Sequence, residues 1–309
     1  MLEMQNSLRY CQVGMDIGGT LTKIVCVIPN NTNKNDGDSV VGCLLKYGIV
    51  YKIIQSNLRT IYLFSLHTNS LSQTFWSSLS FHDSIKLFVT GGGAYRYEDD
   101  IKRITSCVTE CKSIIKGFEF LLKMKMLRFG SYDVDDILIV NIGTGVSFLT
   151  MDGRRVGGTA IGGGTLLGLS KLVTGISDFD TIIKHATEYY QQHNERNESH
   201  TYVGDIYGTT VCPFENLKAD TIASYFAATT DCPTKSVYYA LIEMITYNIS
   251  QLAILTAKNN KCMAIVCTGS YVNHTIIRNE LKRNISRNSM GLFFTDYDGY
   301  MGALGCVPI

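Results

Sequence analysis

Short, nearly unbroken apolar runs that end in glycine-rich turns recur along this chain, and they set its fold class. Ile137-Leu138-Ile139-Val140 is wholly apolar, the pattern of a strand buried on both faces. It runs into Asn141-Ile142-Gly143-Thr144-Gly145, where two glycines allow a tight turn and close approach to a ligand. Residues 146–151 alternate as a second strand, and Asp152-Gly153 signals a hairpin before Arg154-Arg155-Val156. Gly162-Gly163-Gly164-Thr165 then opens a predicted helix whose first amides face an anion. The same order appears earlier in residues 13–27, VGMDIGGTLTKIVCV: an apolar entry, Asp16, the Gly18-Gly19-Thr20 turn, Lys23, and a second apolar strand. Two such hairpins in one chain indicate internal duplication.

Between and beyond the hairpins the pattern predicts an α/β protein. Residues 30–38 are too polar to pack and read as a mobile surface loop, whereas 40–54 and 61–67 read as further strands. Residues 71–80 carry the only tryptophan, Trp76, and read as a helix. The run 85–89 is a buried strand ending in Thr90-Gly91-Gly92-Gly93, where open α/β sheets place ligands. Residues 99–127 form the longest predicted helical stretch, and Glu110 within it reads on its own as a solvated helix carboxylate. Residues 130–135 break the pattern and mark a boundary, giving domains 1–129 and 130–309. Further helices are predicted over 177–192 and over Thr234–Asn259, which could supply a dimer face or pack within its own domain. Ala264-Ile265-Val266-Cys267 is a buried strand with a ligand-type turn at Thr268-Gly269-Ser270. The closing Gly299–Gly305 segment is a small-residue helix suited to backing an adenosine.

Composition narrows the function classes. With 28 Lys and Arg against 27 Asp and Glu in 309 residues, the chain lacks a nucleic-acid footprint. Its ten cysteines are scattered without a C-x-x-C pair; Cys107 and Cys111 share a helix face but have no matching ligands for a metal. Cys26, Cys262, Cys267 and Cys306 read as core hydrophobes in a reduced, cytoplasmic setting. No apolar run is read as a signal peptide or a membrane span.

Six blocks taken together, GMDIGGTLTK (14–23), TGGGAYRYE (90–98), ECKSIIKG (110–117), VNIGTGVS (140–147), RRVGGTAIGGGTLLGL (154–169) and GDIYG (204–208), resemble in order those of the eukaryotic-type (type II) pantothenate kinases. That family belongs to the acetate and sugar kinase, Hsp70 and actin superfamily. The resemblance implies two actin-like, ribonuclease H-like lobes with a nucleotide cleft between them. It implies ATP and Mg²⁺ as cofactors, pantothenate as acceptor, acetyl-CoA or CoA as feedback inhibitor, and a homodimer or a heteromer with a homologue. It makes Glu110 the general base and gives Arg155 a catalytic and acceptor-binding role. Thr144, Ser147 and Tyr207 match substrate-binding positions. Asp16, Gly18, Gly19, Thr20 and Lys23 match the first phosphate hairpin, Asp16 holding magnesium through water; Gly162, Gly163, Gly164, Thr165 and Gly269 match nucleotide positions. The chain departs from the family at Thr144, where serine is frequent, at Thr209–Leu217, which replaces a glycine, aromatic and GLPG pattern, and at Asn273, where arginine is usual. Two other readings stay open: a catalytically weak regulatory subunit binding ATP or CoA thioesters, and a sugar kinase of the same superfamily.

Overall fold

The computed structural model describes residues 11–30, 34–56, 58–80, 85–97, 104–193, 196–208, 218–228, 233–297 and 299–308. The N-terminal ten residues, Glu98 to Arg103 and the divergent segment 209–217 lie outside the described residues. The chain divides into two compact units. The first comprises Met1–Ile139, Leu149–Val156 and Phe293–Ile309, and the second Val140–Phe148 and Gly157–Leu292. Where the sequence suggests a single cut at 129/130, the end of the chain belongs instead with its beginning, for a packing reason given below.

The first sheet is built from β1 (Cys11–Ile17), β2 (Leu21–Pro29), β3 (Ile49–Gln55), β4 (Arg59–His67), β5 (Ile85–Thr90) and β6 (Ile104–Cys107), in the order β3-β4-β2-β1-β5-β6. β1 pairs antiparallel with β2, placing Asp16 opposite Lys23, and parallel with β5, placing Asp16 opposite Thr90. One face carries Val13, Met15, Ile24, Cys26, Phe64 and Val89. It is covered by Val40 and Leu44 of α1 (Lys34–Leu45) and Phe75, Trp76 and Leu79 of α2 (Gln73–Ser80). The expected strand at 40–54 is therefore a helix followed by β3. Val40, Cys43 and Leu44 fall at helical spacing and all bury.

The long helix expected over 99–127 is also corrected. Ile104–Cys107 pairs with β5, and α3 starts at Glu110, running to Lys123. Ile114, Ile115, Phe118 and Leu121 form its buried stripe. Against α3 lies the short α9 (Met301–Cys306), and small residues let the two backbones touch. A Cβ on Gly305 would collide with the carbonyl of Ser113, and one on Gly117 with that of Met301. This backbone contact at Gly305 and Gly117, with Gly14 of β1 closing on the Ala303 carbonyl, is why the C-terminus belongs to the first unit.

The second sheet has the order β13-β12-β7-β8-β9, with β7 (Ile137–Ile142), β8 (Val146–Thr150), β9 (Arg155–Thr159), β12 (Ala264–Thr268) and β13 (Gly291–Phe294). The second unit contains α4 (Gly163–Thr174), α5 (Phe179–Gln192), α6 (Val203–Tyr207), α7 (Thr234–Asn259) and α8 (Thr275–Ser286). A two-stranded ribbon of β10 (Thr201–Tyr202) and β11 (Ile222–Ser224) completes it. At 26 residues and a mean hydropathy of 1.3, α7 is long and apolar enough to cross a membrane, which corrects the sequence reading that no run reaches that length. Most of it is buried by neighbouring helices, and it carries Glu243 at 5% exposure, as a core helix does. Glu243 is satisfied by Arg283 at 2.9 Å and by His200 and Asn197 at 3.2 Å each.

Candidate active site

In the first unit, the phosphate hairpin is locked at its turn before any ligand is considered. The Gly18 amide donates to the Leu21 carbonyl at 3.1 Å, and the Thr68 hydroxyl donates to the Gly18 carbonyl at 2.9 Å. Gly19 and Thr20 are left exposed at the tip. Asp16 stands at the end of β1, hemmed in by glycine: a Cβ on Gly91 would strike its Oδ1, and one on Gly302 its Oδ2. Gly91 also has φ +92, which only glycine adopts freely. Burial and the nearby Glu110 push the Asp16 carboxyl from 3.8 up to about 7, against the pull of Lys23.

Lys23, buried to 9% exposure, donates to the Ser65 hydroxyl at 2.9 Å. Its own burial lowers its pKa to about 8, with Asp16 opposing. The hairpin thus sets a buried carboxyl against a buried ammonium, with Glu110 near enough to raise the first.

Glu110 is the first residue of α3, where the helix dipole favours an acidic side chain. Its backbone is fixed from below: the Ser113 hydroxyl donates to the Glu110 carbonyl at 2.9 Å and lies 2.7 Å from the Thr90 hydroxyl. The Glu110 side chain reaches solvent yet stands among packed atoms; that crowding raises its pKa, and the Arg155 guanidinium opposes the rise. Arg155, exposed at the start of β9, is therefore within electrostatic reach of Glu110, two residues far apart in sequence and now in one unit. Thr90 and Gly91 belong to the turn that the sequence places at a ligand site, whereas the support Ser113 gives Glu110 and the closeness of Gly302 to Asp16 were missed. The closing helix, which the sequence suggests could back an adenosine, sets Gly302 against Asp16.

The second unit holds a separate backbone cradle. The Gly163 amide donates to the Gly143 carbonyl and the Gly164 amide to the Thr144 carbonyl, each at 2.9 Å, which joins the turn after β7 to the start of α4. Gly162 caps α4, its amide held by the Thr165 hydroxyl at 3.2 Å. Gly269, at φ +104, lies so close to Ile142 that a Cβ would meet its carbonyl oxygen. The turns after β7 and β12 and the first turn of α4 thus meet at one place. Thr144 is exposed and Ser147 half-buried in the same unit, and Tyr207 is 49% exposed at the end of α6. Among the described residues no group of three or more His, Cys, Asp or Glu side chains gathers as a metal cage.

The profile of the Fumble family matches residues 12–308. The chain belongs to the Fumble family. It is 30% identical to pantothenate kinase 1 of Arabidopsis thaliana, over 95% of this chain and 84% of that protein. Against the pantothenate kinase of Schizosaccharomyces pombe it is 26% identical, over 97% and 82%. Pantothenate kinase 1 of Oryza sativa is 29% identical, and there the chain spans 47% of the relative's length. Among solved structures, the activator of 2-hydroxyisocaproyl-CoA dehydratase from Clostridium difficile superposes with a TM-score of 0.50 at 16% identity, over 96% of this chain and 92% of that one. Component A of (R)-2-hydroxyglutaryl-CoA dehydratase from Acidaminococcus fermentans gives 0.51 at 12% identity, over 96% of each chain. These two similarities show the actin-like fold of this Fumble-family chain, and the fold alone.

Proposed function

We propose that this chain is an ATP-dependent pantothenate kinase, transferring the γ-phosphate of ATP to the primary hydroxyl of pantothenate to give 4′-phosphopantothenate, the first step of coenzyme A biosynthesis. Membership of the Fumble family and its curated pantothenate kinase relatives support the activity. The observation that carries the mechanism is Glu110 at the head of α3, its pKa raised by crowding and held in check by Arg155. A carboxylate tuned upward accepts a proton more readily near neutrality. As the acceptor oxygen bonds to the γ-phosphorus and the bond to ADP breaks, the hydroxyl proton passes to a Glu110 carboxylate oxygen. Arg155 steadies the acceptor and offsets charge on the transferring group.

Lys23 and the exposed tip at Gly19 and Thr20 bind phosphate oxygens, and the cradle of Gly162, Gly163, Gly164, Thr165 and Gly269 takes the nucleotide. Thr144, Ser147 and Tyr207 bind pantothenate. Asp16 fits a magnesium ion held through water: it is a carboxylate in a glycine-lined recess, close to a second carboxylate that a cation would offset. Magnesium supplies charge neutralisation of the triphosphate when bound. The same reading extends to a cytoplasmic homodimer, or a heteromer with a homologue, inhibited by acetyl-CoA or CoA.

Labelled pantothenate and Mg-ATP, offered to the wild type and Glu110→Ala, test the proposal. Wild-type turnover with a loss of roughly 10²- to 10⁴-fold in kcat for the variant, ATP binding retained, is expected. Undiminished activity in Glu110→Ala overturns the base assignment. Stabilisation of the wild type by acetyl-CoA without turnover points to the regulatory-subunit reading instead.

A further inference from the structure

The start of α9 reaches the charged residues of the hairpin twice. Gly302 abuts Asp16, and two residues earlier the Tyr300 ring lies beneath Lys23, its centroid 5.2 Å from Nζ. Tyr300 is 1% exposed and is held at both ends of its own backbone, its amide donating to Tyr297 at 3.0 Å and its carbonyl accepting from Leu304 at 2.8 Å. Its hydroxyl approaches Ser65 without a well-aligned hydrogen bond, so the ring face is what it offers Lys23.

Tyr51 stacks on the same ring at 5.2 Å and 21°. Tyr51 sits where the register between β3 and β4 shifts, between Val50 and Lys52, and such an irregularity re-aims a side chain. One residue on, Lys52 lies 4.2 Å over the ring of Tyr297, so the segment leading into α9 is pinned to β3 by two aromatic contacts. With Ser65 accepting from Nζ on one side and the Tyr300 face on another, a buried ammonium on a four-carbon stem loses most of its rotamers.

We propose that Tyr300, backed by Tyr51, is a positioning residue that fixes the Lys23 ammonium for the phosphate chain of ATP. Tyr300 touches no substrate; it acts through Lys23. The inference rests on the kinase reading for the identity of the anion, whereas the packing of Lys23 stands without it.

The test uses the full chain. Lysine acetylation at one fixed pH, read by mass spectrometry, reports how accessible and mobile Lys23 is in wild type, Tyr300→Leu and Tyr300→Phe. Tyr300→Leu labels at Lys23 about tenfold faster than wild type, and Tyr300→Phe, which restores the ring, recovers most of the protection. In kinetics, Tyr300→Leu raises KM for ATP by about tenfold and leaves KM for pantothenate within about twofold. A role in stability alone gives no such split and no rescue by phenylalanine. Should Tyr300→Leu not fold, Tyr51→Ala carries the test; its side chain is 51% exposed, and its loss raises Lys23 labelling severalfold. Equal Lys23 labelling in wild type and the variants overturns the inference. Failure of the wild type to phosphorylate pantothenate overturns the substrate reading alone, because labelling needs no acceptor.

Discussion

Replacing Asp16 by asparagine tests the electrostatics of the hairpin directly. Burial holds the Asp16 carboxyl at about 7 against an ordinary 3.8, with Glu110 adding to the rise. Moving a carboxyl that far makes its ionised form up to about 4 kcal/mol less favourable in the folded chain than in the unfolded one. Asp16 retains partial contact with solvent, and screening by that water brings the expected figure to about 2 kcal/mol. Between pH 3.8 and about 7 the unfolded chain has released a proton that the folded chain still holds. Stability from this group is therefore present below the window and lost as pH rises through it. Lys23 does not contribute there, because it is protonated in both states until about pH 8.

Asp16→Asn keeps the shape and removes the charge. Without magnesium or nucleotide, its melting temperature should match that of the wild type at pH 4 and exceed it by roughly 4 °C at pH 8. Kinase activity should be lost in the same variant, together with stabilisation by Mg-ATP, which acts by mass action on the folded state. A Tm difference between the two proteins that stays flat from pH 4 to 8, or a variant less stable at pH 8, refutes this account of the carboxylate.

Two further substitutions separate backbone from charge in the second unit. Gly269→Ala forces a side chain into φ +104 and onto the Ile142 carbonyl, so it costs at least about 2 kcal/mol in urea unfolding and shrinks the thermal shift on adding ATP; an unchanged midpoint would show that the turn relaxes freely. Glu243→Gln removes the buried carboxylate that accepts from Arg283, His200 and Asn197, while Arg283 keeps its ion pair with Glu280 at 2.6 Å; it lowers stability by about 2 kcal/mol with KM for ATP unchanged, and a cost under about 0.5 kcal/mol would mean that the amide takes the place of the carboxylate.

The parts of this molecule that the sequence discloses are those whose physics is local. A glycine turn after an apolar run announces itself, so the hairpin at Asp16, the cradle at Gly162 and the strand before Gly269 could be located without coordinates. Helix and strand bounds failed where local preference was outvoted. Residues 40–45 look β-branched enough for a strand, yet Val40, Cys43 and Leu44 all bury, a spacing that shares one face only on a helix. Ile104 to Cys107 continues a helical count from its neighbours, yet it fills the edge of a sheet beside β5. Glu110 lost its place mid-helix in the same correction, and its chemistry changed with it. A carboxylate inside a solvated helix has little reason to shift, whereas burial among packed atoms at the helix start pushes Glu110 upward, with Arg155 opposing the rise.

What no pattern could disclose is the return of the chain's end. Gly302 and Tyr300 sit about 280 residues from Asp16 and Lys23, and the small-residue run that carries them has several uses, of which backing an adenosine is one. Only packing decides among those uses. Glycine at 305 and 117 lets α9 approach α3 to backbone contact, which sets the height of its first turn, and that height brings Gly302 to Asp16 and Tyr300 to Lys23. The charge pair and the helix that supports it therefore respond together: enlarging either glycine lifts the ring from the ammonium and the backbone from the carboxylate. A residue's contribution to phosphate binding can thus be lost through a methyl group added on the far side of a helix that touches no ligand.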